Sequence, residues 1–297
     1  MMNGKRYKVA GHRFDVEFPD SFSSDKCFAP YRPFEEAGTE NGEPVFTLRL
    51  TFTDTLLMAE AGDFVRCFHE EAPFLWLYRS LENDTFGFSH TMDAPDCLLF
   101  LSEDYRQGTV YIGRDAAETD ISFALDNSLM LLYALNTATR DTLLIHASVI
   151  RNGERAYVFL GKSGTGKSTH SRLWLEHIPG SYLLNDDNPV LRLENGEVYV
   201  YGSPWSGKTP CYRNERARLG AIVRLEQARQ NRISRLNKLQ AYASLHPSCS
   251  MMRWNRGMAD GVHRTVEQIV RKDRNYLLAC LPDKEAALLC THTVKTA

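Results

Sequence analysis

One stretch constrains this chain more than any other: Gly161-Lys162-Ser163-Gly164-Thr165-Gly166-Lys167-Ser168-Thr169. It satisfies the phosphate-binding pattern G-x-x-x-x-G-K-[ST] through Gly161, Gly166, Lys167 and Ser168. The run Ala156-Tyr157-Val158-Phe159-Leu160 before it has the length and bulk of a buried strand. Residues 169–177 after it carry apolar side chains close enough together for a helix face. Strand, glycine loop and helix in that order predict a cradle for a polyphosphate. Glycines let successive N–H groups turn toward one anion, and the following helix adds its unpaired N–H groups and positive dipole end. Lys167 is predicted to reach the terminal phosphates and the Ser168 hydroxyl to ligate Mg²⁺. Ser163, Gly164, Thr165 and Thr169 complete the expected cradle.

A chain of 297 residues accommodates this unit beside a second domain. Its hydrophobic content of 43% and charged content of 24% are those of an ordinary globular protein. A formal net charge of −2 creates no global field toward nucleic acid or an anionic membrane. The seven cysteines are scattered, with no C-x-x-C pair, and read as reduced, mostly buried thiols. No apolar run approaches membrane-spanning length and the N-terminus leads into no apolar signal core, so a cytoplasmic location is expected.

Residues 7–115 read as strands joined by turns. Segments 7–10 and 13–18 flank Gly11-His12 as a hairpin, and 45–52 alternates, with Phe46, Leu48, Leu50 and Phe52 expected inward. Further strands are predicted at 74–78, 85–90, 97–102 and 109–112. We therefore expect a small, mainly antiparallel β domain over 1–118, with a role in partner or substrate selection. Nothing catalytic stands out there: His69-Glu70-Glu71 reads as a solvated loop, because adjacent residues share no face. His12 and His90 read as structural.

A domain over 119–297 should hold the loop. Asp126-Asn127-Ser128 offers N-caps for an apolar helix over 129–135, expected to be buried where the domains meet. Residues 143–150 read as one strand containing His146. Asn152-Gly153 then turns it back, antiparallel, into the strand that feeds the loop. A histidine in such a place is more often a satisfied core residue than a functional one. Beyond the loop helix, Tyr182-Leu183-Leu184-Asn185-Asp186-Asp187 is an apolar strand ending in two carboxylates. One acid can hold a metal and the other accept a proton, which are the two functions phosphoryl transfer requires. A hairpin around Asn195-Gly196 leads to a second glycine-rich loop, 202–208, whose Lys208 is a candidate phosphate or substrate contact. The arginines of 213–238 read as solvated faces or as a patch that steers an acidic partner. Without stacking aromatics they do not favour nucleic acid.

His146-Ala147, the glycine loop and Leu184-Asn185-Asp186-Asp187, in that order, resemble the C-terminal domain of HPr kinase/phosphorylase. That domain shares its phosphate-loop fold with phosphoenolpyruvate carboxykinase. The resemblance covers residues 140–290 and extends to HPr-kinase-like proteins that phosphorylate serine in small molecules or precursor peptides. It implies an α/β (α+β) fold with a mixed sheet and use of ATP and Mg²⁺. It also implies His146 near the transferred phosphate, Asp186 as general base, and Asp187 as a Mg²⁺ ligand with Ser168. Two departures argue against HPr itself as acceptor: 201–208 replaces the Glu-Arg-Gly-rich signature, and the N-terminal domain is unlike theirs. The expected activity is phosphoryl transfer to a hydroxyl, with a carboxykinase or a non-catalytic nucleotide switch as alternatives. The sequence leaves the acceptor and any homo-oligomer open.

Overall fold

Alternation of inward and outward side chains decides which segments pair in the first sheet. The computed structural model describes every residue except 1, 23, 24, 37–41, 82, 208 and 297. β1 (Met2–Val9) and β2 (His12–Pro19) form a hairpin through Ala10 and Gly11, at φ 46° and 80°, the positive angles a two-residue turn demands. β2 lies parallel to β3 (Thr47–Thr53), in which Leu48 and Leu50 are buried and Arg49 is exposed. Phe52, expected inward, is instead 41% exposed at the margin, against the Phe22 ring. A single turn, α1 (Met58–Ala61), precedes β4 (Asp63–Cys67), β5 (Phe74–Arg79), β6 (Asp84–Ser89), β7 (Cys97–Leu101) and β8 (Gln107–Gly113). These five run antiparallel to one another, and β8 returns parallel to β3. Among the described residues the sheet has eight strands, in the order β1-β2-β3-β8-β7-β6-β5-β4. It is mainly antiparallel.

α2 (Glu118–Thr137) begins eight residues before the caps read from the sequence, so Asp126, Asn127 and Ser128 lie inside it. Their polar groups serve other partners. Asp126 accepts from the Tyr31 hydroxyl at 2.7 Å, and Asn127 donates to the Phe123 carbonyl one turn back. The helix packs on the first sheet: Tyr133 donates to the Val9 carbonyl and its ring meets Phe14 edge-on. The chain's two compact units accordingly divide at the last residue of this helix, into residues 1–136 and 137–297, whereas the boundary expected from sequence lies at its start.

The second unit is a mixed sheet with helices. β9 (Thr142–Leu144) is followed by β10 (Ala147–Asn152), which turns into β11 (Arg155–Leu160) at Gly153. Next come α3 (Lys167–His177), β12 (Ser181–Asp187), and the hairpin of β13 (Val190–Glu194) and β14 (Glu197–Tyr201). The long strand β15 (Arg216–Gln227) is followed by β16 (Arg232–Arg235), α4 (Lys238–Leu245), α5 (Arg256–Val270), β17 (Asn275–Cys280) and α6 (Lys284–Thr296). The order is β12-β10-β11-β15-β14-β13-β9, with β17 also pairing β15 and β16. β10 is antiparallel to both β11 and β12, so these two point the same way. The glycine loop after β11 and the acids ending β12 therefore emerge at one edge, where α/β sheets place ligands. The core joins Tyr157 and Phe159 of β11 to Trp174 of α3, with ring centroids 4.9 and 5.5 Å apart. The chain is thus a mixed α/β protein with two sheets, and among the described residues no helix is long and apolar enough to cross a membrane.

The strand expected over 143–150 is broken at His146. β9 pairs with β13 and β10 with β12, in one continuing register: Leu144 faces Val190 and Ala147 faces Asp187. Between those pairs the ladder bends. The Ile145 amide donates to the Pro189 carbonyl and the His146 amide turns away to Ser248. Proline at 189 lacks a ladder donor, so a bend is favoured there.

A candidate phosphoryl-transfer site

The loop owes its shape to its glycines. Gly164 and Gly166 stand at φ 77° and 106°, and Gly166 is the residue from which α3 starts. L side chains resist both conformations. A Cβ at Gly161 would come within 3.1 Å of the Thr165 side chain. The Lys167 ammonium donates to the Gly161 carbonyl at 3.0 Å and so lies along the loop. Burial pulls it below the usual lysine range, while Asp187 and Asp186 pull the other way.

Two pairs face this loop. Ser168 Oγ donates to Asp186 Oδ1 at 3.2 Å. His146 Nδ1 meets Asp187 Oδ1 at 2.9 Å. His146 sits in the break just before β10, next to Ala147, the residue that faces Asp187 in register, and so lies beside the acid it pairs with. Asp187 itself is held at φ 142°, a conformation unfavourable for a residue with a Cβ. Its neighbours fix it there: Asn188 donates to Oδ2 at 3.0 Å, and a bridge links Asp187 to Ser206. Gly207 packs so closely that a Cβ on it would sit 3.1 Å from the Asp186 carbonyl and 3.2 Å from the Asp187 Cβ.

These groups share a cleft of about 530 Å³. Its walls include His146, Ser163, Gly164, Gly166, Lys167, Ser168, Thr169, Asp186 and Asp187, so most of the predicted site residues converge. Gly161 and Thr165 belong to the same loop. Lys208 lies outside the described residues. Gly207 and Thr209, beside it, do line the cleft. On the other side of the loop a second cleft, about 490 Å³, has an apolar wall of Leu173, Leu225, Ala228, Leu281 and Pro282. Gln227 reaches from it to the Gly164 carbonyl at 3.3 Å. No sequence pattern marked Gln227; only the end of β15 beside the loop reveals it. His170, also in that wall, is buried and accepts from the Trp174 indole at 3.1 Å, and burial pulls its imidazole down to about 4. It is a neutral packing residue.

The pairing differs from the division of roles the resemblance implied: the Ser168 hydroxyl meets Asp186, and Asp187 meets His146. Two cis ligands of an octahedral ion, each about 2.1 Å away, stand about 3 Å apart. The 3.2 Å between Ser168 Oγ and Asp186 Oδ1 fits that edge. Among the described residues no three His, Cys, Asp or Glu groups cluster as a metal cage. Mg²⁺ needs no such cage, since it takes one or two protein oxygens and completes its shell with phosphate and water. The His69 ring of the loop 69–71 bonds the Pro73 carbonyl through Nδ1 at 2.6 Å and lies against the Phe123 ring. His90 pairs with Asp120. Three of the arginines of 213–238 are ion-paired: Arg213 and Arg216 meet Glu215 and Glu194, while Arg224 meets Glu226.

Neither a known protein family nor a curated protein matches this chain.

Proposed function

We propose that this protein is an ATP- and Mg²⁺-dependent phosphotransferase of the phosphate-loop type that acts on a hydroxyl group. One observation carries the reading: Lys167, the Ser168–Asp186 pair and the His146–Asp187 pair all face one cleft beside a glycine loop. Phosphoryl transfer works by positioning and electrostatics, and these are the groups it uses. The order histidine, loop, Asp-Asp is also what underlies the resemblance to HPr kinase/phosphorylase.

The residues divide the work as follows. Loop N–H groups and the start of α3 hold the phosphates, and Lys167 swings from the Gly161 carbonyl to the terminal phosphate. Ser168 and Asp186 would hold Mg²⁺, which would supply neutralising charge for the transferred group. Asp187 fixes His146 through Nδ1, so that Nε2 faces the cleft and takes the proton of the acceptor hydroxyl. The apolar cleft across the loop suits the nucleoside. Serine in a small molecule or peptide is the acceptor class the resemblance implies, and selection of that acceptor is the role we assign to residues 1–136.

Binding is tested by thermal unfolding. ATP with Mg²⁺ is expected to raise the melting temperature, because a ligand of the folded state stabilises it by mass action. Lys167→Ala is expected to remove most of the shift. An equal shift in that variant would defeat the reading.

A further inference from the structure

A second group of cations gathers at the other end of the same sheet. Arg155 opens β11, and Arg218 faces it in register on the neighbouring β15. Register partners on adjacent strands send their side chains to the same face. Lys272 and Arg274 reach this place from the segment between α5 and β17. The four line a cleft of about 290 Å³ with Glu197, Val198 and Leu219. Along β11 the distance from Arg155 to Leu160, where the glycine loop begins, is about 17 Å at some 3.3 Å per residue. This cleft is therefore separate from the nucleotide site.

Three features set it apart from a solvated surface. First, among the described residues none of the four cations pairs with a carboxylate, although Glu197 stands in the wall. Nearby arginines of this sheet do pair, as Arg151 with Glu215 and Arg216 with Glu194. Second, three of the four charged heads are tied down rather than splayed apart. Arg155 Nη1 donates to the Leu219 carbonyl and Arg274 Nη1 to the Gly220 carbonyl, each at 3.4 Å, and Lys272 donates to the Gly196 carbonyl. Third, each guanidinium has five donors, so one bond to a carbonyl leaves most of them for a ligand. Like charges in register on neighbouring strands repel, and a bound anion relieves that repulsion.

We infer that this cleft binds a compact anion carrying two or more phosphoryl groups. Four cations less Glu197 leave three positive charges, the order of charge on such a ligand at neutral pH. Planar guanidinium forks match phosphate oxygens two at a time, which favours phosphoryl groups over a single carboxylate. The volume suits a small diffusible molecule rather than a strand of nucleic acid. The inference does not depend on what the glycine loop binds.

Inorganic pyrophosphate, titrated calorimetrically into the full-length Lys167→Ala protein without Mg²⁺, tests it. One binding event is expected to survive the loss of Lys167. Adding Arg155→Gln and Arg218→Gln is expected to weaken that event at least tenfold, with the ligand-free melting temperature unchanged or raised. Should that pair of changes unfold the chain, the single exposed changes Arg218→Gln and Lys272→Gln serve instead, each with a severalfold loss. Sodium sulfate at equal ionic strength is the control. The inference is overturned if Lys167→Ala alone abolishes binding, if the arginine variants bind as before, or if sulfate reproduces the response.

Discussion

Ser168 and Asp186 stand 3.2 Å apart while Asp187 holds His146 at 2.9 Å, and these two distances predict different failures for two neighbouring acids. Asp186→Asn removes charge from the pair proposed to hold the metal, so activity lost at low Mg²⁺ should return in part as Mg²⁺ is raised. Asp187→Asn instead releases His146 from its orienting carboxylate. Its rate should fall by roughly 10²–10⁴-fold, the range for loss of general base function, and no Mg²⁺ concentration should restore it. The measurement is the initial rate of transfer from labelled ATP to serine-bearing acceptors, against Mg²⁺, for wild type and both variants. Rescue of Asp187→Asn and not of Asp186→Asn would reverse the roles. The two acids were legible in the sequence as a pair, but their division was not. Which carboxylate meets which partner depends on the bend at His146, and that bend is set by strands distant in sequence.

Among the elements, β15 bridges the two ends of the second unit's sheet, and a bulge lies in its middle. Ala156 faces Leu219 but Tyr157 faces Ala221, leaving Gly220 as the extra residue. A Cβ there would stand 2.7 Å from the Tyr157 ring. Gly220→Ala should therefore destabilise by about 1–3 kcal/mol, the usual cost of overpacking. Urea unfolding would register this as a lower midpoint at unchanged slope, and an unchanged midpoint would contradict the close packing. Elements fixed by local chemistry were readable beforehand. The turns at Gly153 and Asn195-Gly196 come from residues that tolerate positive φ, and the loop–helix unit follows from its glycines. Elements fixed by distant partners were not. β4 has no alternation to reveal it, being exposed along most of its length. The start of α2 was misplaced because Asp126 and Asn127 look like caps but serve Tyr31 and the preceding turn.

For the molecule as a whole, where the chain is cut decides whether the second unit can be studied alone. A fragment of 137–297 carries a complete sheet and core, and should be monomerically soluble and keep the ATP-induced rise in melting temperature. A fragment of 119–297 also carries α2, whose buried Leu132 and Tyr133 would be stripped of the sheet they pack against. Exposed apolar surface of that size drives association, so this longer fragment should aggregate on size-exclusion chromatography while the shorter does not. Equal behaviour would show that the helix does not need its sheet. Within the second unit, the backbone at Asp187 costs about 1–3 kcal/mol at its φ of 142°, against a total stability of only about 5–15 kcal/mol for a domain. Glycine would relieve that cost and remove the carboxylate in one step. Stability therefore favours losing this acid, and selection for what it does holds it in place. In a lineage released from that selection, position 187 should drift to glycine early, while Gly164 and Gly166, at positive φ angles that a side chain would strain, persist.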